Sequence, residues 1–356
     1  MNPIDLEPID TTTIPAVRKD KMRVSVIIPS HNRPHLVREA IESVRKQTFL
    51  DWEIIVIDDG SVPPANRSDL RAVARREITV LRNDFPLGQA VSREKGEKVA
   101  TGEFILHLDD DDLLASKAIE SGISVLDAEP EIDVVFLNVM GFGERASAFH
   151  QAQKNSLDKV LKLAEGLQAG QGVIRFGKSL FSALLQAVPM AFQRPMARRN
   201  VWRDITGLRR KAYGPDHPLG PPLRESEWAL YAAATRRIAL ITDPLYLQRC
   251  DGQGFFSIGS RRETAERARV QIFETLLSFA EKEPAIKPWR YEIKGAMARC
   301  YFERAYACLH RGEKTLALQY LFKASRLQPS SRCLRLGLQL MLPKRTETSN
   351  TADRSS

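Results

Sequence analysis

Residues 24–34, VSVIIPSHNRP, read together with EIIVIDDGS at 53–61 and FILHLDDDDLL at 104–114, decide the fold. The first opens on a largely β-branched run at 24–28 that Pro29 closes. A near-continuous apolar run, without strict alternation, suits a strand covered on both faces, as in parallel sheets. Pro34 then opens a stretch in which Leu36, Val37, Ala40, Ile41 and Val44 recur at helical spacing, and proline is well placed in a first helical turn. Residues 53–57 make a second such run, stopping at Asp58, Asp59, Gly60 and Ser61. A strand, a helix and a strand within about 35 residues form a βαβ unit.

Outward from this unit the alternation continues. A strand is expected at 78–81, a helix at 90–100 with Gly102 near its stop, and a strand at 104–108 running into four aspartates, Asp109 to Asp112. A helix at 116–128 and a strand at 133–137 complete an α/β half. Open α/β sheets bind ligands beyond the carboxyl ends of their strands. Three strands here end in polar or acidic turns, at 29–33, 58–61 and 109–112, so a site is expected where these turns converge. Beyond 140 the spacing predicts helices at 157–167, 181–188 and 225–236 and extended segments at 190–193, 238–241 and 245–247, with a Gly/Pro-rich loop at 213–223. From about residue 262 the text turns to amphipathic helices. Tyr301, Gly312, Ala317, Leu321, Ala324 and Pro329 fit one tetratricopeptide-like hairpin, read as a packing module because a lone repeat does not bury its own faces.

Composition bounds the class. Of 356 residues, 43% are hydrophobic and 27% charged, which supports a packed core and excludes general disorder. No apolar run approaches the ~18–20 residues of a membrane-spanning helix. The first 17 residues are acidic and proline-containing with no apolar block, so no secretory signal is read there. Four cysteines without a CxxC pair argue against a disulfide framework or a zinc knuckle and fit a reducing compartment; a cytoplasmic location, peripheral on the inner face of the membrane, is expected. Charge is asymmetric: residues 1–189 hold 28 acidic and 23 basic side chains, residues 190–356 hold 16 and 30. The basic half suits an anionic partner or is a solvated Arg-rich helical surface. No nucleic-acid module accompanies it, so nucleic acid is not an expected partner.

Adjacent aspartates repel and raise one another's pKa unless a cation sits among them, and oxygen-only ligands favour Mg²⁺ or Mn²⁺ over zinc. Asp112 reads equally as the cap of the following helix. The Asp58–Ser61 segment is either a tight turn or places Asp59 to accept hydrogen bonds from a base or ribose. Arg33 pairs with phosphate or points to water. His107, inside an apolar strand, reads as a core histidine. Arg194, Arg198, Arg199 and Arg203 read as an exposed helix face or as a contact to a phosphate-bearing acceptor.

In order and spacing, VSVIIPSHNRP, EIIVIDDGS and LGQAVSREKGEKVATGEFILHLDDDDLL resemble glycosyltransferase family 2 across residues 24–115. The resemblance implies the α/β GT-A fold, a Rossmann-like mixed sheet with flanking helices, here followed by an α-helical C-terminal region. It implies metal-dependent, inverting transfer from a nucleotide-diphosphate sugar, a UDP-sugar foremost, to an acceptor hydroxyl. The acceptor would be a glycan or lipid-linked acceptor in cell-surface polysaccharide or lipid-linked glycan synthesis, with peripheral contact to an anionic membrane. By the same resemblance Pro29, His31 and Arg33 line the nucleotide pocket and Asp59 holds the base. Gly88 and Arg93 belong to the segment that closes over the nucleotide, with Glu94 where the family usually carries Asn. Asp109 reaches the ribose or diphosphate, and Asp111 with Asp112 holds Mn²⁺ or Mg²⁺. In RESEWAL at 224–230, alignment on Trp228 and Leu230 puts Glu227 at the position of the catalytic base, with Ser226 replacing the first acid and Glu225 in reserve. Asp251 stands where many members have the His of an Arg-x-His segment and would be a metal ligand. The expected organisation is an extension at 1–21, a GT-A domain at 22–260 (nucleotide-sugar half 22–140, acceptor half 141–260), a helical region at 261–342 and a disordered tail at 343–356. Two other classes stay open: a non-catalytic nucleotide-sugar sensor or scaffold, and a nucleotidyltransferase, which would lack its usual early Gly-rich, Lys-containing phosphate loop.

Overall fold

The structure, a computed structural model, describes residues 22–76, 78–168, 172–214, 224–251 and 259–341. The expected N-terminal extension and C-terminal tail lie outside the described residues. The strands are β1 (Val24–Ser30), β2 (Trp52–Asp59), β3 (Thr79–Asn83), β4 (Phe104–His107), β5 (Leu113–Leu114), β6 (Val134–Phe142), β7 (Leu167–Gln168), β8 (Val173–Phe176), β9 (Pro195–Arg198) and β10 (Ile238–Arg249). The helices are α1 (Pro34–Arg45), α2 (Arg67–Ala74), α3 (Gln89–Val99), α4 (Ala118–Ala128), α5 (Ala146–Ala164), α6 (Ser179–Leu184), α7 (Arg199–Tyr213), α8 (Arg224–Thr235), α9 (Gly259–Phe279), α10 (Arg290–His310), α11 (Lys314–Leu327) and α12 (Ser331–Met341).

One mixed sheet runs in the order β3-β2-β1-β4-β9-β6-β10-β8-β7, with β5 paired to β10. β3, β2, β1 and β4 are parallel neighbours, so their carboxyl ends open on the same edge. All seven residues of β1 are buried, as its unbroken apolar run requires. Alternate residues serve opposite faces. Val26 and Ile28 join Val37, Ala40 and Ile41 of α1 in one core, while Ile27 joins the core formed by α7, α8 and the C-terminal helices. That second core is continuous from the sheet through Trp202, Trp228 and Tyr231 to Leu276, Cys300, Cys308, Ala317, Leu321 and Leu336. α10 and α11 are consecutive helices that pack against each other. Among the described residues no helix is long and apolar enough to cross a membrane.

Two local expectations are corrected. The extended segment expected at 190–193 is a single 3-10 turn, Met190–Gln193, and the strand follows it as β9. Pro189 before the turn (φ −56°) and Pro195 at the first residue of the strand explain the shift, since proline suits turn starts and first strand positions. The segments expected at 238–241 and 245–247 are one strand, β10, irregular around Pro244.

Candidate active site

The ends of β1, β2 and β4 are knitted together by short polar side chains. Ser30 donates to Asp110 (2.8 Å). The backbone N–H of Asn32, a left-handed residue at φ 54°, donates to Ser61 Oγ (2.9 Å), and Val62 N–H donates back to Asn32 Oδ1 (2.7 Å). His31 Nδ1 lies 2.7 Å from the carbonyl of Asp59. A carbonyl only accepts, so Nδ1 carries the hydrogen and Nε2 accepts from Asn32 Nδ2 (3.0 Å). Pro29 is buried in β1 beneath this loop, and His31 and Arg33 are exposed above it.

Asp58 and Asp59 end β2 with different tasks. Asp58 accepts from the N–H groups of Ser61 (2.9 Å) and Ala65 (3.0 Å) and pairs with Arg82. Asp59 accepts from Asn83 (2.7 Å), Leu87 N–H (2.9 Å) and Gly88 N–H (2.8 Å). Burial opposes both charges, but these bonds outweigh it and hold both carboxyls below the usual range. Both oxygens of Asp59 are engaged, so it anchors the segment before α3. Gly88 has φ +88° with open space around its Cβ direction, a backbone conformation that favours glycine.

The four aspartates follow β4, and one ligand oxygen from each of Asp109, Asp111 and Asp112 lies within 4.8 Å of the others. Three arginines surround them. Arg33 reaches Asp110 (3.2 Å) and Asp111 (2.8 Å). Arg93, fully buried on α3, joins Asp109 to Glu225 of α8. Arg194, buried between the 3-10 turn and β9, approaches Asp109 (3.3 Å) and Asp112 (3.5 Å) and lies 4.7 Å from the Tyr246 ring centroid. Burial opposes ionisation of Asp109, yet Arg93 and Arg194 prevail and hold it low. For the others burial wins. Asp110 is pushed up to about 6, Asp111 is raised, and Asp112, deepest and facing Asp109 and Asp111, is pushed up to about 8 despite Arg194. Hard oxygen donors that remain under-compensated by three arginines fit a divalent cation.

β10 underpins the cluster. Tyr246 Oη accepts from Asp109 N–H (3.1 Å), Arg249 N–H donates to Asp112 Oδ1 (2.9 Å), and Arg249 Nε donates to the carbonyl of Asp111 (2.9 Å). Asp112 therefore does not cap the next helix, whose N-cap is Lys117.

Two expected site residues stand elsewhere. Glu227 is fully buried, its Oε2 held by Arg209 Nε (2.8 Å) and Nη2 (2.7 Å). The nearby Tyr213 and Tyr231 phenols are raised, by burial first and then by this carboxylate. The first turn of α8 directs residue 225 to the acidic corner and residue 227 inward, about 200° away at 100° per residue. Asp251 is half-exposed, 3.5 Å from Arg249, and packs at the Cβ direction of Gly143; it is not among the clustered oxygens. The arginine cluster divides. Arg194 turns into the site, while Arg198, Arg199 and Arg203 line a cleft of about 720 Å³ between α3 and α7 that touches none of the four aspartates. His107 is the expected core histidine, 6% exposed and against Trp202 (ring centroids 4.1 Å). Tyr246 and Arg249 were not singled out as site residues by sequence reasoning, because only the sheet order and the pairing with β5 bring β10 to the aspartates; Arg194 was read only as a contact to an acceptor or as part of an exposed face, and not as a partner of the aspartates.

Comparison with known proteins agrees with this geometry. Residues 25–186 match the family model described as glycosyl transferase family 2. The chain is 32% identical over 145 residues to the Escherichia coli UDP-Glc:alpha-D-GlcNAc-diphosphoundecaprenol beta-1,3-glucosyltransferase WfgD, covering 40% of this chain and 56% of that protein. It is 27% identical over 286 residues to the O-antigen biosynthesis protein RfbC of Myxococcus xanthus, covering 76% of this chain and 20% of that one. The chain thus spans about half or less of the length of these relatives. Among solved structures, TarS 1-349 of S. aureus superposes with a TM-score of 0.54 at 17% identity (88% of this chain, 83% of that one). The mannosyltransferase PcManGT from Pyrobaculum calidifontis, solved with GDP-Man and Mn²⁺, gives 0.52 at 19% identity (92% and 82%). Both likenesses are of fold. With the GT-A sheet and the three converging strand ends beside it, the match over residues 25–186 makes this part of the chain similar to glycosyltransferase family 2.

Proposed function

We propose that the chain is a metal-dependent, inverting glycosyltransferase moving a sugar from a nucleotide-diphosphate sugar, of which a UDP-sugar is the first to test, to an acceptor hydroxyl. The relatives named above support a glycan or lipid-linked acceptor in cell-surface polysaccharide synthesis. The transferase unit is read as residues 22–260, with the helices at 261–342 extending its core. The observation that carries the reading is the close approach of Asp109, Asp111 and Asp112 at the ends of parallel strands, with arginines on every side.

Pro29, His31 and the loop anchored by Asp59 form the nucleotide side, with Gly88 and the start of α3 above it. Arg33 exchanges Asp110 and Asp111 for phosphate oxygens as the donor enters, and Arg93 and Arg194 keep Asp109 ionised. Asp111 and Asp112, with Asp109 beside them, would hold Mn²⁺ or Mg²⁺, which when bound supplies positive charge to the leaving diphosphate. Glu225, not the buried Glu227, takes the proton from the acceptor hydroxyl; that oxygen attacks the anomeric carbon opposite the departing diphosphate. The test is release of nucleotide from UDP-sugars with Mn²⁺ and with chelator. Turnover lost in chelator supports the reading. Tight donor binding that never releases nucleotide would make the protein a sensor instead.

A further inference from the structure

Between residues 314 and 341 the chain holds five Lys or Arg and no Asp or Glu. α11 buries Ala317, Leu321 and Ala324, and α12 buries Cys333 and Leu336. Their outer sides are not simply polar. Leu318 (44%) and Phe322 (64%) stand exposed on α11, as do Leu334 (68%) and Leu338 (55%) on α12. Each pair is four residues apart, hence one above the other on a single helix face. Arg326 continues the α11 row one turn on, its guanidinium 5.9 Å from the Phe322 ring centroid, and Arg335, exposed on α12, stands three residues before Leu338 and so neighbours it on the helix surface.

Large apolar side chains interleaved with arginine select among partners. A second copy of the chain would set positive charge against positive charge, with no carboxylate in this stretch to relieve it. A nucleic acid offers phosphates but no apolar phase for a phenylalanine and three leucines. The headgroup–acyl boundary of an anionic bilayer offers both, and amphipathic helices of this composition bind there through apolar burial plus attraction to acidic lipid.

We propose that α11 and α12 form a docking surface for an anionic lipid bilayer. The binding stands on the surface itself; that it brings the active site to a lipid-linked acceptor rests on the transferase reading above. The test is flotation of the full chain with phosphatidylcholine vesicles, with and without phosphatidylglycerol. The protein floats only with the acidic vesicles and is released by high salt. Combined Phe322→Ser, Leu334→Ser and Leu338→Ser lowers the partition at least tenfold, while the helical signal and nucleotide release in the absence of vesicles stay as in the parent. Failure of the parent to float, equal flotation of the triple variant, or a dimer that the same changes dissolve without any vesicle binding would each overturn the proposal. Failure of nucleotide release in the parent would overturn the transferase reading and leave the flotation result standing.

Discussion

Glu225 and Glu227 stand two residues apart on α8 in opposite surroundings, and the chemistry divides accordingly. Glu225 meets Arg93 at the acidic corner, whereas Glu227 is sealed against Arg209. Glu225→Gln keeps the shape and removes the proton acceptor, so kcat falls by about 10²–10⁴-fold while donor KM stays within a few-fold; single-turnover and steady-state assays read the split. Glu227→Gln instead leaves the Arg209 guanidinium buried opposite a neutral group, an effect on the order of 3–5 kcal/mol for a broken buried pair, seen as a lower urea midpoint. A variant that unfolds no earlier yet loses kcat would return the base to Glu227. Sequence alignment on Trp228 fits the helix register but cannot say which acidic side chain the helix turns outward; the phase of α8 against α7 decides that, and phase is a tertiary property.

At the scale of elements, the exits of the parallel strands were legible and the antiparallel insert was not. Near-continuous apolar runs mark β1, β2 and β4, because a strand covered on both faces needs apolar side chains nearly throughout. β9 has four residues opening on proline, too short for a pattern, yet its insertion between β4 and β6 carries Arg194 to the aspartates. The β2 exit makes its own prediction. Asp58 and Asp59 have folded-state pKa values below their unfolded ones, so the stability they contribute is present above the ordinary carboxylate range and drains away as pH falls through the folded values. Asp58→Asn therefore destabilises by about 1.5–3 kcal/mol near neutrality, the scale of hydrogen bonds to a charged group. Denaturant melts of parent and variant should converge as pH is lowered below the folded values; a gap that stays constant in acid would contradict the assignment.

For the whole molecule, the sequence marks a boundary near residue 261 that the packing does not. Amphipathic periodicity changes there, but the apolar faces of α9 to α12 close over α7 and α8 in one core. Calorimetry of the full chain should show a single cooperative transition. Leu276→Ala, fully buried in that core, should lower it as a whole by about 2–5 kcal/mol; two independent transitions, only one moved by the substitution, would show that the helices fold separately. The central claim concerns the carboxyl ends of the parallel strands, where four aspartates face three arginines. Its most direct test is calorimetric titration of Mn²⁺ and UDP, each with and without the other. Joint binding predicts that each ligand raises the other's affinity by the same factor, and that Asp111→Asn abolishes the coupling with the fold intact. UDP binding unchanged by Mn²⁺ or chelator, in parent and variant alike, would contradict it.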